Sequence, residues 1–119
     1  GHLGPTKLLK DAGLKPQSDI KILMLGSQGL PALKKGEVDA WGGSAVKYEN
    51  FLRDEGLSES ALPIISKGPF LPKDVFVASS RIEPSFVKKI GLQMIKNQEK
   101  LIQSLSSVEE GKYEGSTLV

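Results

Sequence analysis

The fold is decided by residues 20–44, which read IKILMLGSQGLPALKKGEVDAWGGS. Residues 20–25 are almost wholly apolar and rich in strand-forming side chains, a pattern typical of a strand buried on both faces in a parallel sheet. Residues 30–35 follow a glycine loop and carry Pro31 in their first turn, so they predict a short helix that ends at Gly36. A second, shorter strand is predicted at residues 38–41.

The flanking segments continue this alternation of helices and strands. A helix is predicted at residues 5–11, and another begins after Ser44 with an apolar face that reaches to Gly56. Two further strands are predicted at residues 62–66 and 74–79, and a long helix with a broad apolar stripe at residues 84–106. Such an order predicts an α/β fold, a three-layer sandwich lobe with a mostly parallel sheet.

Composition excludes several classes of function. The net charge of +2, from 16 basic and 14 acidic side chains, is too small to indicate binding to nucleic acid or an anionic membrane. The absence of cysteine excludes disulfides, thiolate metal sites and a cysteine nucleophile. His2 is the one histidine, so no serine has an evident histidine base and no metal-ligand cluster is predicted. We therefore expect no enzyme activity, no metal and no cofactor.

Two glycine loops, each between a predicted strand and a helix, are the candidate binding elements. Helix N-termini offer unpaired N–H groups and a positive dipole end, and glycine lets a ligand approach the backbone, so both loops suit an anion. The candidate residues are Ser27, Gln28 and Gly29 in the first loop and Gly43 and Ser44 in the second. The alternative is that these are ordinary strand-to-helix turns and that Ser44 is only a helix cap.

Four other side chains have two interpretations each. Trp41 either walls off a ligand or fills the core, and Tyr48 either presents its hydroxyl to the same cleft or packs beside its apolar neighbours. Asp74 either receives a ligand ammonium group or begins a strand as a turn residue. Glu37 and Asp39 would share one face of a strand, which permits an acid–base role, although solvent exposure is the alternative.

Three segments resemble one family of binding proteins. Residues 26–40, GSQGLPALKKGEVDA, are similar to a segment of periplasmic substrate-binding proteins with the type II fold. Residues 1–13, GHLGPTKLLKDAG, and residues 68–77, GPFLPKDVFV, resemble the phosphate, phosphite and phosphonate branch. The resemblance implies a solute-binding component that captures a small oxyanion and delivers it to the permease of an ABC importer. It also implies a periplasmic or extracellular location, with a lipid anchor on the parent protein in Gram-positive cells.

The resemblance further implies that the chain is incomplete. Residues 1–66 would form the second lobe, residues 67–79 the crossover, and residues 80–119 a C-terminal helix and tail that normally pack on a first lobe. Gly1 would be the last residue of a serine–threonine–serine–glycine loop that binds the anion. Without that first lobe, we expect the apolar stripe of residues 84–105 to fold back on the chain, to dimerise or to be covered by chain swapping.

One departure from the family pattern leaves alternatives open. The phosphonate branch often has histidine where Gln28 stands, and glutamine donates a hydrogen bond but carries no charge. Binders of sulfonate, taurine or nitrate with the same fold are therefore the nearest alternative. An oxyanion-binding enzyme that uses Asp39, or a sensor domain fused to a signalling protein, is the alternative from another class.

Overall fold

The computed structural model describes residues 2–71 and 74–119. Gly1 of the predicted anion loop, and Pro72 and Lys73 of the predicted crossover, lie outside the described residues. The described elements are α1 (Leu3–Asp11), a 3-10 turn (Gly26–Gln28), α2 (Gly29–Lys35), α3 (Ala45–Glu55), α4 (Pro84–Lys96) and α5 (Gln98–Val108). The chain divides into a first unit, Gly1–Pro72, and a second unit, Lys73–Val119.

The predicted α/β sandwich is wrong, because the described residues contain helices and irregular segments but no strand. The segments predicted as strands, residues 20–25, 38–41, 62–66 and 74–79, are irregular and form no ladder with one another. A strand needs a neighbour to satisfy its backbone N–H and C=O groups. Strand propensity describes the side chains of a segment, whereas the neighbouring strand has to be supplied by the rest of the fold.

The first three predicted helices are confirmed, and their ends follow from local chemistry. α2 ends at Gly36 and α3 ends at Gly56, with φ of 76° and 64°, a left-handed conformation that glycine adopts without strain. α3 begins after Ser44, whose side chain caps it. Sequence signals for starting and stopping a helix are local, which is why these boundaries were predictable.

The long helix predicted at residues 84–106 is instead two helices, which meet at Asn97. The Asn97 backbone has φ of −107° and ψ of 22°, outside the helical range. Its side-chain amide donates a hydrogen bond to the Gln93 carbonyl at 2.8 Å. Asparagine side chains compete in this way for backbone groups and disfavour helix interiors, which explains the break at this position. The apolar stripe is therefore divided between α4 and α5.

A small apolar core holds α2 and α3 in the first unit. Leu30 of α2 and Tyr48 and Leu52 of α3 are buried. Partly buried apolar side chains pack around them: Trp41, Phe51, Leu57 and Leu62. Lys34 and Glu55 form an exposed ion pair between the two helices. This core therefore sets the positions of the residues that precede each helix, which are the two glycine loops.

The second unit presents most of its apolar surface to solvent. No described side chain of this unit is buried, and the side chains of Phe86 and Leu92 are 53% and 58% exposed. α4 and α5 form an open groove lined by Phe86, Lys89, Ile90, Gln93, Met94, Asn97, Lys100, Leu101 and Ser104. The described residues of this unit therefore leave the apolar stripe without a covering element.

Candidate functional site

The first glycine loop is a tight turn that leads directly into α2. Gly26 has φ of 56°, and the Gln28 N–H donates to the Leu25 carbonyl at 3.0 Å, which closes the 3-10 turn. Ser27 and Gln28 are exposed, whereas Gly29, the first residue of α2, is buried. The polar side chains of this loop therefore face water beside a packed helix start.

The second glycine loop prepares the start of α3. Ser44 has extended backbone, and its Oγ accepts a hydrogen bond from the Lys47 N–H at 3.3 Å. This is the geometry of a helix N-cap, so the capping role that the sequence suggested for Ser44 is present. The serine is nevertheless exposed, and the cap uses its oxygen as an acceptor. A cap therefore does not prevent this hydroxyl from donating to a bound anion.

The Trp41 indole connects the two loops. A Cβ atom added at Gly29 would lie 2.7 Å from Cδ1 and 2.9 Å from Nε1 of Trp41. One added at Gly43 would lie 2.2 Å from Cζ2 and 2.3 Å from Cη2 of the same ring. Distances this short are not tolerated between real side chains, so the ring lies directly against both glycines. Trp41, Gly29 and Gly43 are thus brought together.

Tyr48 is packed in the core of the first unit. Its hydroxyl donates to the Leu62 carbonyl at 2.9 Å, and the side chain contacts the Leu30 and Leu52 cluster. Burial, followed by the negative charge of Glu59, raises the pKa of Tyr48 above its ordinary value. Because the hydroxyl proton is engaged by a backbone carbonyl, only the lone pairs of this oxygen remain for a ligand.

Asp74, in the second unit, is already bound by two donors of its own chain. Its Oδ2 accepts a hydrogen bond from the Tyr113 hydroxyl at 2.8 Å and lies 3.0 Å from Lys112 Nζ. The hydrogen bond from Lys112, and then that from Tyr113, lowers the pKa of the Asp74 carboxyl. The same contact raises the pKa of Lys112. The group is therefore an ionised carboxylate paired with an ammonium group.

The remaining carboxylate candidates are dispersed. Glu37 and Asp39 are exposed and lie in a bend, not on a strand, so the shared strand face on which their pairing was predicted does not exist. Within residues 2–71 and 74–119, no group of three or more histidine, cysteine, aspartate or glutamate side chains could hold a metal ion. No helix in the described part of the chain combines the length and the apolar character needed to cross a bilayer.

A comparison with protein families decides the identity. A family model described as "ABC transporter, phosphonate, periplasmic substrate-binding protein" matches residues 1–111. The chain belongs to this phosphonate-binding family. The resemblance noted at residues 1–13, 26–40 and 68–77 is thereby confirmed. No curated protein and no solved structure matches the chain.

Membership of the phosphonate-binding family sets the function at a general level. The chain is a solute-binding component of an ABC importer, and its family is a transport component, not an enzyme. Its partners are a small-molecule ligand and the ABC permease, and its location is periplasmic or extracellular.

Sequence reasoning missed two polar residues of this phosphonate-binding protein, Lys112 and Tyr113. Both contact Asp74, from which they are separated by 38 and 39 positions. No local motif links them to Asp74, because a lysine followed by tyrosine in a polar tail is typical of solvated chain. Alternation of charge along the sequence cannot identify a contact of this range. The contact of Asp74 with these two residues is therefore seen only in the three-dimensional structure.

Proposed function

We propose that the chain captures a phosphonate, phosphite or phosphate oxyanion for import, at the surface formed by its two glycine loops. The proposed ligand-binding residues of the first unit are Ser27, Gln28, Gly29, Trp41, Gly43, Ser44 and Tyr48. For Tyr48, the proposal requires its hydroxyl to release the Leu62 carbonyl before it can donate to an anion. The observation that carries the proposal is the Trp41 ring, which lies against both Gly29 and Gly43. Because one side chain touches both loops, we expect donors from the two loops to reach one small ligand.

The chemistry of these donors suits an oxyanion. The hydroxyls of Ser27 and Ser44 and the amide of Gln28 are neutral hydrogen-bond donors on exposed positions. The N-terminus of the eleven-residue helix α3 adds a positive dipole end beside Ser44. Hydrogen bonds to a charged acceptor are stronger than those between neutral groups, so a few donors are sufficient to retain a phosphonate.

The Trp41 indole supplies an apolar surface next to these donors. A phosphonate differs from phosphate in carrying an alkyl group on phosphorus, and an aromatic face favours such a group. Trp41 is half-buried, so part of its ring can contact a ligand. A combination of donors and an aromatic face therefore favours an alkylphosphonate over inorganic phosphate.

Binding and its location can be tested on one residue of the second loop. Ser44→Asp keeps a helix-capping side chain but presents a carboxylate to the anion, so we expect the stability of α3 to persist and oxyanion affinity to fall at least tenfold. Calorimetry with methylphosphonate, phosphite, phosphate and methanesulfonate would measure the affinity, and urea unfolding the stability. Ser80→Asp, an exposed serine of the second unit, is the matched control for added charge.

Two results would contradict the proposal. The wild-type chain would bind none of the four anions, or Ser44→Asp would bind them as tightly as the wild-type chain does. Sulfonates and phosphonates are both tetrahedral oxyanions with similar hydrogen-bonding needs, so the measured order of affinities has to distinguish them. Tightest binding of methanesulfonate would favour the sulfonate class.

We also propose roles for the three segments of the chain. Residues 1–66 would act as a ligand-binding lobe, residues 67–79 as a crossover, and residues 80–119 as a segment that packs on another lobe. For Asp74, the proposed role is to receive the ammonium group of an aminoalkylphosphonate. Limited proteolysis with and without methylphosphonate would test the division, since ligand should protect residues 1–66 preferentially.

The exposed stripe of α4 and α5 supports a proposal about assembly. We propose that residues 84–105 associate with a second copy, by dimerisation or by chain swapping. Phe86, Ile90 and Ile95 leave 53%, 41% and 41% of their surface exposed, and apolar area of this kind is stabilised by association. Ile90→Glu should lower the mass found by analytical ultracentrifugation, and Gln103→Glu, on the exposed part of α5, should leave it unchanged.

The proposed lipid anchor concerns the parent protein in Gram-positive cells. A binding protein that is not enclosed by an outer membrane is lost by diffusion unless something holds it near its permease. We propose that an acyl chain on the parent protein provides this attachment. Partition of the cell-derived protein into a detergent phase would support it, and recovery in the aqueous phase alone would contradict it.

A further inference from the structure

One half of the surface of α4 is apolar and open to solvent. Phe86, Ile90 and Met94 follow one another at the four-residue spacing of a helix, and Val87 and Ile95 lie in the adjacent row. The side chains of Phe86, Ile90 and Ile95 are exposed, and none of the five is buried. The described residues of the second unit therefore leave this half of α4 in contact with water.

The opposite half of α4 is cationic. It carries Lys88, Lys89 and Lys96, with Leu92 lying among them, and the 13 residues of the helix include no aspartate or glutamate. Three lysines without a carboxylate give the helix a charge of +3, whereas the whole chain has a net charge of +2. The overall composition hides this local charge because acidic residues outside α4 balance it.

The neighbouring helix α5 is less exposed than α4. The Leu118 N–H donates to the Gln98 side-chain oxygen at 3.1 Å, so the residues that follow α5 return to its start. Leu101, Ile102 and Leu105 of α5 are half-buried. Of these two helices, α4 is therefore the one whose apolar side chains are available to a partner.

We propose that α4 lies in the headgroup region of an anionic lipid bilayer, with Phe86, Ile90 and Ile95 directed towards the acyl chains and its lysines towards lipid phosphates. A helix with one apolar and one lysine-rich face binds a membrane surface in this way. With 13 residues, α4 lies on the bilayer and does not cross it. The proposal concerns the second unit alone and is independent of the ligand site proposed in the first.

Charge distinguishes a bilayer from the second copy proposed above, which would cover the same apolar side chains. A second copy would bring the lysines of two identical helices near one another, and like charges repel. Anionic lipids supply the opposite charge, and their attraction raises binding about fivefold for each lysine near the surface. We therefore expect an anionic bilayer to displace the second copy.

Sedimentation of the full chain with lipid vesicles would test the proposal. Vesicles of phosphatidylglycerol and phosphatidylcholine in equal parts should carry the wild-type chain into the pellet, and vesicles of phosphatidylcholine alone should bind it far more weakly. Phe86→Gln should weaken binding to the anionic vesicles about tenfold, because an exposed apolar side chain no longer enters the bilayer. Lys88→Gln should weaken it about fivefold. Circular dichroism of the free variants should match that of the wild-type chain, since both positions are exposed.

Matched variants of the first unit are the controls. Leu3, which is 82% exposed, and Lys35 of α2 are exposed side chains of the same two kinds, so Leu3→Gln and Lys35→Gln should leave vesicle binding unchanged. Saturating methylphosphonate should also leave it unchanged, because the glycine loops do not hold the lipid. No sedimentation with anionic vesicles would overturn the proposal. So would equal binding to phosphatidylcholine alone, loss of binding in either control variant, competition by methylphosphonate, or a dimer that persists when anionic vesicles are present.

Discussion

At the residue scale, the close packing of Trp41 against Gly43 allows a direct test of the loop geometry. A Cβ at Gly43 would lie 2.2 Å from Cζ2 of the indole, so Gly43→Ala has to displace the ring or the backbone. Forcing an extra carbon into a packed site costs about 1–3 kcal/mol. We expect the free energy of unfolding to fall by that amount in urea titrations followed by Trp41 fluorescence.

Gly4→Ala provides the matched control within the same unit. Its Cβ would lie 3.9 Å from Leu71 Cδ1, an ordinary van der Waals distance, and the residue belongs to α1. Alanine in a helix is favoured over glycine by about 0.5–1 kcal/mol, so this variant should be as stable as the wild-type chain or more so. Equal destabilisation by both substitutions would contradict the close contact at Gly43.

The environment of Tyr48 predicts an alkaline transition of the first unit. Because burial and Glu59 raise the pKa of this phenol, its neutral form is favoured by folding. The resulting stabilisation is complete below about pH 10, the value for an unfolded tyrosine, and is lost as the pH rises through the folded-state pKa. In Tyr113→Phe, Tyr48 is the one tyrosine left, and its absorbance at 295 nm should titrate above pH 10.

The urea-unfolded protein is the reference for this titration. There the Tyr48 midpoint should return to about 10, the ordinary value for tyrosine. Identical midpoints for the native and unfolded chain would show that the hydroxyl is exposed to solvent and not engaged by the Leu62 carbonyl.

Residue roles differed in how far the sequence could predict them. The capping function of Ser44 followed from its position before an apolar helix, and it is present. The partners of Asp74 could not be predicted, since they lie at the other end of the second unit. The contact of Trp41 with both glycines was likewise unpredictable, because it depends on how two loops meet and not on the spacing within either.

At the element scale, the start of α3 depends on a single hydroxyl. Ser44 Oγ accepts the Lys47 N–H at 3.3 Å, and no other side chain caps this helix. Replacing an N-cap serine by alanine costs about 1 kcal/mol, so Ser44→Ala should lower the free energy of unfolding by that amount in urea titrations. Ser44→Asn restores a capping side chain and should recover most of the loss. Equal stability of Ser44→Ala and the wild-type chain would contradict the capping role.

Helices were predictable from this sequence, and strands were not. Proline and glycine mark the helix ends by local backbone preference, so α2 and α3 lie close to their predicted positions. Residues 20–25 have the composition of a buried strand, but hydrogen-bonded neighbours are needed to form one. The break at Asn97 was also missed, because apolar periodicity is insensitive to one polar residue that competes for a carbonyl.

At the scale of the whole chain, exposed apolar side chains outnumber buried ones. The hydrophobic core of the described residues consists of Leu30, Ala32, Tyr48 and Leu52. By contrast, Met24, Ile65 and Val77 leave 77%, 88% and 88% of their surface exposed. Exposed apolar side chains of this kind bind apolar dyes.

Dye binding would measure this exposed surface directly. We expect the folded chain to enhance the fluorescence of anilinonaphthalene sulfonate, and Met24→Lys to reduce the enhancement by removing an apolar side chain from residues 20–25. Lys21→Arg, which keeps the charge in the same segment, should leave the signal unchanged. Absence of dye fluorescence with the native wild-type chain would contradict the exposure described for these segments.

The contact of one indole with two glycines also constrains how this chain can diverge. Alanine at position 29 or 43 is unfavourable beside tryptophan at position 41, because the added methyl group would displace the ring or the backbone. Related sequences should therefore change these positions jointly: a smaller residue at 41 wherever either glycine is lost, and glycine at both wherever tryptophan is kept. Pairwise covariation among 29, 41 and 43 would be the evolutionary record of this packing.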